Sequence, residues 1–483
     1  MNATVRAMDD KPSIWTKLAY GFGSVAYGIK DGGFQFFLLI FYAQVIGLNA
    51  QLVGLAILIA LVADAVSDPI VGYWSDNFRS KWGRRHPFMY AAAVPVAVSY
   101  YFLWNPPESW SNAQLFWYVL GLSILIRTLI TIYETPSTAL APEMTQDYDE
   151  RSSVISFRWF FGWLGGNTMA IVMFILIFPA FVTVAISNGQ FNRDAYALYG
   201  FIASLVMFGA IMISALGTHH LIPKLRAPPP KRKITPGLMF REIFETLSSR
   251  SFGALFFASL LGFIASGLAG GLNFYFATYF WNFSPQQIGL ISVCVTISTF
   301  IGLFLAPFIT RTIGKKRGAI IIGLIAFIGS PTPIMLRVFD ILPSNESPFI
   351  FWFVLTATTI DVGLIICYQI LASSMIADLV EQAELKTGRR SEGIFFAATT
   401  FIRKCGVGVG IILASTVLGI VGLQSGAGQG QVSAETIWRL GAVYVPLILG
   451  LWLTMIAVIS MYRLDRAGHE ENLRQLNERA SAD

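Results

Sequence analysis

The sequence predicts an all-α membrane protein with twelve transmembrane helices in two pseudo-symmetric six-helix bundles. Three observations predict it. Of 483 residues, 13% are charged and 55% hydrophobic, against about 25% charged in soluble domains. The apolar runs are long and continuous, which favours helices over a barrel. The longest polar connection separates six runs from six. The same composition excludes a soluble globule, which would expose too much apolar surface, and a disordered chain. A disulfide-built fold is excluded too. Cys294, Cys367 and Cys405 are odd in number, lie in apolar runs and lack metal-ligand spacing.

The runs cover, in order, about 17–46, 51–75, 87–105, 112–138, 157–186, 196–222, 251–280, 286–310, 318–339, 348–377, 394–423 and 435–462. Each is close to or above the ~20 residues that cross a ~30 Å hydrocarbon core. Met1 to Thr16 is polar, with Asp9, Asp10 and Lys11, and does not read as a cleavable signal. Orientation follows from the basic residues. Arg79, Lys81, Arg84 and Arg85 follow span 2, and Arg311, Lys315, Lys316 and Arg317 follow span 8. The connection after span 6 carries seven more, from Lys224 to Arg250, while the alternate loops carry little beyond Arg193 and Arg337. Positive loops stay inside, so both termini are expected on the cytoplasmic side of the plasma (cell inner) membrane. The net charge of +6 sits in these short loops and does not imply a nucleic-acid partner.

The expected domains are an N-terminal bundle over 1–222, a cytoplasmic linker over 223–250 with Pro228–Pro230, a C-terminal bundle over 251–464 and a cytoplasmic tail over 465–483. The halves echo each other. Gly83-Arg84-Arg85 after span 2 matches Gly314-Lys315-Lys316 after span 8, and the acidic loop Glu143–Arg151 after span 4 matches Asp378–Lys386 after span 10. Repeats of this kind belong to transporters whose halves move around a midplane site; chance similarity of basic loops is the alternative.

Ionisable residues inside spans cost about 2.5–3.5 kcal/mol each on insertion scales and therefore need a reason. They are Lys30 and Asp31, Asp64 and Asp68, Arg127 and Glu134, Arg158, Asp361, and Arg403 and Lys404. Asp64 and Asp68 are four apart, so they share a helix face. Two carboxylates so close repel, and Na⁺, Li⁺ or H⁺ would relieve the repulsion. A hard cation wants oxygen ligands, which Ser67 and Thr131 could supply. The alternative is that Asp68, before Pro69, anchors a span end against the loop arginines. Glu134 precedes Pro136, where an interrupted helical ladder would free backbone groups; the alternative is a structural pair with Arg158. Lys404 is expected to pair with the Asp64/Asp68 couple; snorkelling to the interface is the alternative. Tyr20, Tyr27 and Tyr368, with Gln369 and Thr400, could line a polar cavity. The glycines Gly406, Gly408 and Gly410 follow no strand and read as close helix packing.

The stretch ADAVSDPIVGYWSDNFRSKWGRRHPF in span 2 resembles the glycoside–pentoside–hexuronide:cation symporter family, melibiose-permease-like members of the major facilitator superfamily. KLAYGFG at 17–23, YETPSTALAPEMTQDYDERSSVISFR at 133–158 and ADLVEQAELKTGRRSEGIFFAATTFIRKCG at 377–406 extend the resemblance through both halves. The resemblance implies the major facilitator fold. It implies cation binding at Asp64 and Asp68, with Ser67 and Thr131 at auxiliary positions, a place shared between sugar and cation for Glu134 and one near the sugar for Arg158; Thr400 and Lys404 match the family's span 11 polar positions and are counted with the substrate set. There are departures. The family's Lys-Asp sugar pair aligns with Tyr27 and Gly28, while Lys30 and Asp31 lie one turn later. A stacking tryptophan of span 4 is replaced by Thr138, and an aromatic of span 10 by Gln369. Galactoside specificity therefore does not follow. Span 1, VAYGIKDGGFQFFLLIFY, is also similar to the sodium-dependent lysophospholipid carriers, so a lipid substrate is the alternative.

The expectation is a monomeric secondary symporter of a sugar or glycoside, coupled to Na⁺ (or H⁺, Li⁺) and using no other cofactor. Its partners are that small molecule, the monovalent cation and membrane lipid. Tyr27, Lys30, Asp31 and Gln369 join the substrate set. Arg84, Arg85, Asp147, Glu150, Arg151 and Asp378 form an expected gating cluster. Asp147 and Asp149 could instead be a transferase's metal pair, but the neighbouring Arg151 favours gating. No GxxxxGK[ST] loop occurs, which argues against an ATP-driven pump. A channel or a non-transporting sensor is the third class.

Overall fold

The computed structural model describes residues 11–145, 148–224, 250–387 and 392–460. Twelve membrane helices follow in order. The first, α1, is built in pieces: Ile14–Phe22, Ser24–Gly32, a π-turn at Gly33–Phe37, Leu38–Ile40 and a second π-turn at Phe41–Val45. Then come α2 (Ala50–Asn77), α3 (His86–Leu103), α4 (Asn112–Met144), α5 (Tyr148–Val172, continued to Ala180 through a π-turn) and α6 (Arg193–His219). The second six are α7 (Arg250–Tyr275 with a π-turn to Phe280), α8 (Pro285–Ile313), α9 (Lys315–Gly329 and Thr332–Val338), α10 (Pro348–Thr387), α11 (Glu392–Ile420) and α12 (Ala434–Ser460). Among the described residues ten helices are long and apolar enough to cross a membrane. The other two are α1, interrupted at Gly23, and α3, which has 18 residues around Pro95.

The helix starts are local in origin. Asn49 caps α2 by accepting from the backbone N–H of Gln51 and Leu52. Ser111 with Gln114, and Ser284 with Gln287, form capping boxes at α4 and α8. The two repeated glycines have one job. Gly83 and Gly314 sit at φ +72° and +82°, a region open to glycine at little cost. Each turns the chain between one helix and the next, α2 into α3 and α8 into α9.

The chain divides into two compact units, Met1–Arg232 and Lys233–Asp483. In the first, α1 packs on α5 and α6, α2 on α4, and α3 on α4 and α6. In the second, α7 packs on α11 and α12, α8 on α10, and α9 on α10 and α12. Each of these contacts of the first unit recurs six helices later. In each unit, a glycine lets two helices approach closely. A Cβ on Gly28 of α1 would collide with the Gly162 carbonyl of α5, and one on Gly410 of α11 with the Ile264 carbonyl of α7. This is how helices associate in lipid, where no hydrophobic force draws them together.

Candidate functional site

The polar residues of the first unit gather on α1, α2, α4 and α5. On α2, Val66, Ile70 and Trp74 are exposed from the unit. Asp64 is 2% exposed, and Asp68 follows one turn later, half-buried. Both meet Thr131 of α4. The Thr131 hydroxyl lies 2.9 Å from Asp64 Oδ1 and 2.9 Å from Asp68 Oδ1. Ser67 turns its hydroxyl proton onto the Asp64 carbonyl at 3.0 Å, so only its lone pairs face outward for a cation. Pro69 continues α2 without an N–H, which leaves the Ala65 carbonyl without its helical donor.

Asp64 has a fixed counter-charge as well. Arg127, on α4 one turn before Thr131, donates from Nη1 to Asp64 Oδ2 at 3.3 Å. Its guanidinium lies 4.5 Å from the centre of the Phe34 ring, which the first π-turn of α1 carries. π-turns often mark functional positions; this one brings a ring against a buried cation. Sequence reasoning singled out Arg127 but gave it no role. The available signal was its spacing: residues 127 and 131 are i and i+4, hence one face.

A second pair lies on α1, where Lys30 Nζ meets Asp31 Oδ1 at 2.6 Å. Lys30 is buried, whereas the Asp31 side chain is 44% exposed. A third joins α5 to α4, with Arg158 Nη2 at 3.6 Å from Glu134 Oε1. Arg158 also donates to Ser137 Oγ at 3.4 Å and stands 5.3 Å from the centre of the Tyr27 ring. The Tyr27 hydroxyl donates to the Arg158 carbonyl at 3.3 Å. The Arg158–Glu134 pair expected as the alternative is therefore present, with a carboxylate still 36% exposed. Helix α4 runs unbroken through Pro136, so the proline removes one helical bond rather than ending the ladder.

Other expectations are redistributed. Tyr20 donates to the Ser137 carbonyl at 2.9 Å and packs with Leu140, Ala141 and Val154. Tyr368 donates to Met455 Sδ at 3.5 Å. Both are core residues of their own units. In the second unit Gln369 is exposed, while Thr400 and Lys404 are half-buried. At the gating cluster, Arg84 Nη2 and Arg85 Nη2 both hold Glu143 Oε1, at 2.7 and 3.1 Å. Arg85 also pairs with Asp76 at 2.6 Å. Glu150 instead pairs with Lys17 and Lys11 of the N-terminal segment. Asp147 lies outside the described residues, as do the side chains of Arg151 and Asp378. The partners Glu143, Asp76 and Lys17 were not expected. They come from three separate segments, and the fold alone brings them to these arginines and this glutamate.

The family described as MFS/sugar transport protein matches residues 19–466. The isoprimeverose transporter of Lactiplantibacillus pentosus is 22% identical, over 93% of this chain and 88% of its own. The sodium-dependent lysophosphatidylcholine symporter 1 of Gallus gallus is 24% identical, over 98% of this chain and 91% of its own. Among solved structures, the nucleoside transporter NupG superposes with a TM-score of 0.59 at 13% identity, covering 92% of this chain and 99% of that one; that likeness shows the fold. The twelve helices, the match from end to end and the motifs of the glycoside–pentoside–hexuronide:cation symporters thus converge, and the chain belongs to the MFS/sugar transport family of multi-pass membrane transporters.

Proposed function

We propose that the protein is a cation-coupled symporter of a sugar or glycoside, working by alternating access. One observation carries the reading. Thr131 has a single hydroxyl proton and faces two carboxylate oxygens at 2.9 Å each. It can donate to only one of them at a time. The other oxygen then meets it lone pair to lone pair, unless a cation or a proton sits between. Asp64 Oδ1, Asp68 Oδ1, Thr131 Oγ1 and Ser67 Oγ are oxygen ligands of the kind a hard monovalent cation takes.

The charge count supports one ion per cycle. With Lys17 at the edge of span 1 set aside, because it pairs with Glu150, the charges within the spans of the first unit are Asp31, Asp64, Asp68 and Glu134 against Lys30, Arg127 and Arg158. Four acids and three bases leave one negative charge, and one Na⁺, Li⁺ or H⁺ makes the set neutral. Occupancy of the seat then fixes Asp68 and Thr131, and Glu134 passes the change along α4 to the sugar. The half-exposed carboxylates of Asp31 and Glu134 accept from sugar hydroxyls, Arg158 and Lys30 hold those carboxylates in place, and Tyr27 supplies a ring under Arg158. Thr400 and Lys404 are assigned to substrate on resemblance alone, and Gln369 on its polar side chain within span 10. Arg84 and Arg85 on Glu143 and Asp76 serve as a gate, with both termini on the cytoplasmic face of the cell inner membrane.

The test is uptake into proteoliposomes, with p-nitrophenyl α-xyloside, p-nitrophenyl α-galactoside and lysophosphatidylcholine as probes. Each is driven in turn by Na⁺, Li⁺ and pH gradients. Saturable accumulation of a glycoside with one cation per substrate is expected, and Asp64→Cys inserts normally but no longer concentrates it. Concentrative uptake in Asp64→Cys refutes the cation seat. Accumulation of lysophosphatidylcholine without any glycoside transfers the site to an amphipathic lipid, the substrate class that the relative's name attaches to that protein.

A further inference from the structure

The second unit holds a buried acid that the mechanism above does not use. Asp361 stands on α10 thirteen residues after Pro348, about 20 Å along the helix at about 1.5 Å per residue. It is 9% exposed, and its Oδ1 is buried without a hydrogen-bond partner. Among the described residues no lysine, arginine or histidine pairs with it. Its Oδ1 faces α9 at Gly329, where a Cβ would lie 3.3 Å away.

Helix α9 is interrupted at that point, between Gly329 and Thr332. Positions 331 and 333 are prolines, so the carbonyls of Phe327 and Gly329 have no helical N–H to receive. The Ile328 carbonyl accepts instead from the Thr332 hydroxyl at 2.6 Å. The Ser330 hydroxyl is set against the carboxyl group. A buried acid with an open oxygen therefore lies against a stretch of α9 whose Phe327 and Gly329 carbonyls lack their helical donors, in the middle of two packed spans.

The other charged and titratable groups around it are accounted for. From α12, Tyr444 faces Asp361, and Glu435 pairs with Arg439. On α9, Arg337 gives its guanidinium to the carbonyls of Leu342 and Pro343 at 3.2 and 2.8 Å, and Lys315, Lys316 and Arg317 open the helix a full 13 residues before Ser330. Helix α8 carries Cys294 and Arg311, and α7 carries Arg250, Tyr275 and Tyr279. None of these forms an ion pair with Asp361 among the described residues.

We propose that Asp361 is a proton-binding site of the second unit, separate from the Asp64–Asp68–Thr131 seat, and that its proton closes the joint between α9 and α10. An ionised carboxylate here would be a charge without a counter-ion in a medium of low dielectric, which is strongly disfavoured. A proton taken from water neutralises it, and the resulting O–H donates to a carbonyl left open by Pro331 or Pro333. When the joint opens, the proton returns to water, and the carboxylate is hydrated. The inference does not depend on the substrate reading, because the acid lies in the other unit and no sugar is needed to test it.

The experiment is infrared difference spectroscopy of the purified full chain in lipid nanodiscs, titrated with pH. The wild type is expected to show a protonated carboxyl stretching band that vanishes on alkalinisation. Asp361→Asn removes that band, Asp64→Asn keeps it, and Asp361→Glu restores one with a shifted midpoint. Thermal unfolding gives the second readout. The wild type loses stability as pH rises through the titration, because the folded state holds a proton that the unfolded chain gives up sooner. Asp361→Asn, neutral and of the same shape, loses no stability over that range. A band unchanged in Asp361→Asn overturns the proposal. So does a band that responds to Na⁺ at fixed pH and not to pH, which makes the site a sodium seat.

Discussion

The two units repeat one packing scheme and differ in their charges. In the first, the buried bases each have an acid: Lys30 with Asp31, Arg127 with Asp64, Arg158 with Glu134. In the second, the helices pair in the same order, yet Asp361 is buried without a counter-ion among the described residues. The glycine contacts that set the helix spacing are alike, Gly28 on Gly162 and Gly410 on Ile264. Architecture and chemistry are thus separable. A six-helix unit is specified by where small residues and turns fall, and what it binds by a few substitutions on faces the fold already presents.

The comparison is broken most severely at Arg127. Arg127→Leu leaves Asp64 buried without its counter-charge, and removing one partner of a buried pair costs about 3–5 kcal/mol. A large fall in the thermal midpoint of the detergent-solubilised protein is expected, with partial recovery in Arg127→Leu/Asp64→Asn. No recovery in the double variant would show that Arg127 acts through packing on Phe34 and not through charge.

The shared packing is sharpened by Gly28→Ala and Gly410→Ala. Each forces a methyl group onto a facing carbonyl, and overpacking of this kind costs about 1–3 kcal/mol. Both should lower the thermal midpoint by similar amounts. A loss confined to one of them breaks the equivalence of the two units at this contact.

Thr131→Val is smaller and more specific. It keeps the shape and removes the hydroxyl that faces both carboxylates. A lost hydrogen bond to a charged group is worth about 1.5–3 kcal/mol, so the half-saturating cation concentration should rise more than tenfold while the fold persists. Unchanged cation dependence in Thr131→Val would remove that hydroxyl from the seat. The smallest effect belongs to Glu435→Ala in the second unit. It deletes an exposed i,i+4 pair with Arg439, and such pairs contribute about 0.3–0.5 kcal/mol. The thermal midpoint should barely move.

Much of the fold was legible because its signals are local. Run length gave the spans, and the repeated glycine before each pair of basic residues, legible as an echo between the halves, proves in the structure to be a turn at positive φ. The spacing of Asp64 and Asp68 placed them on one face, and Thr131 was named as their partner. What escaped were pairings between distant segments. Arg127 on Asp64 spans 63 residues, and Arg84 on Glu143 spans 59. No periodicity reports such contacts. Ser67 is a candidate ligand by its position, and the structure adds that its hydroxyl proton goes to the carbonyl three residues back, as a helical serine's can, which leaves its lone pairs for a cation. Tyr20 and Tyr368 were placed in a cavity for being polar, whereas buried tyrosines commonly seat the ring in the core and find one acceptor for the hydroxyl.

The sequence alone settled what lipid demands of a chain. Long apolar stretches must become helices, because each backbone polar group in hydrocarbon has to be satisfied within its own segment. It also settled that a handful of charges lay where charge is costly. Only the tertiary structure decided which of those charges neutralise one another. A counter-ion is chosen by distance in space, and that distance is fixed by helix packing, so the isolation of Asp361 and the pairing of Asp64 became visible only once the helices were in place.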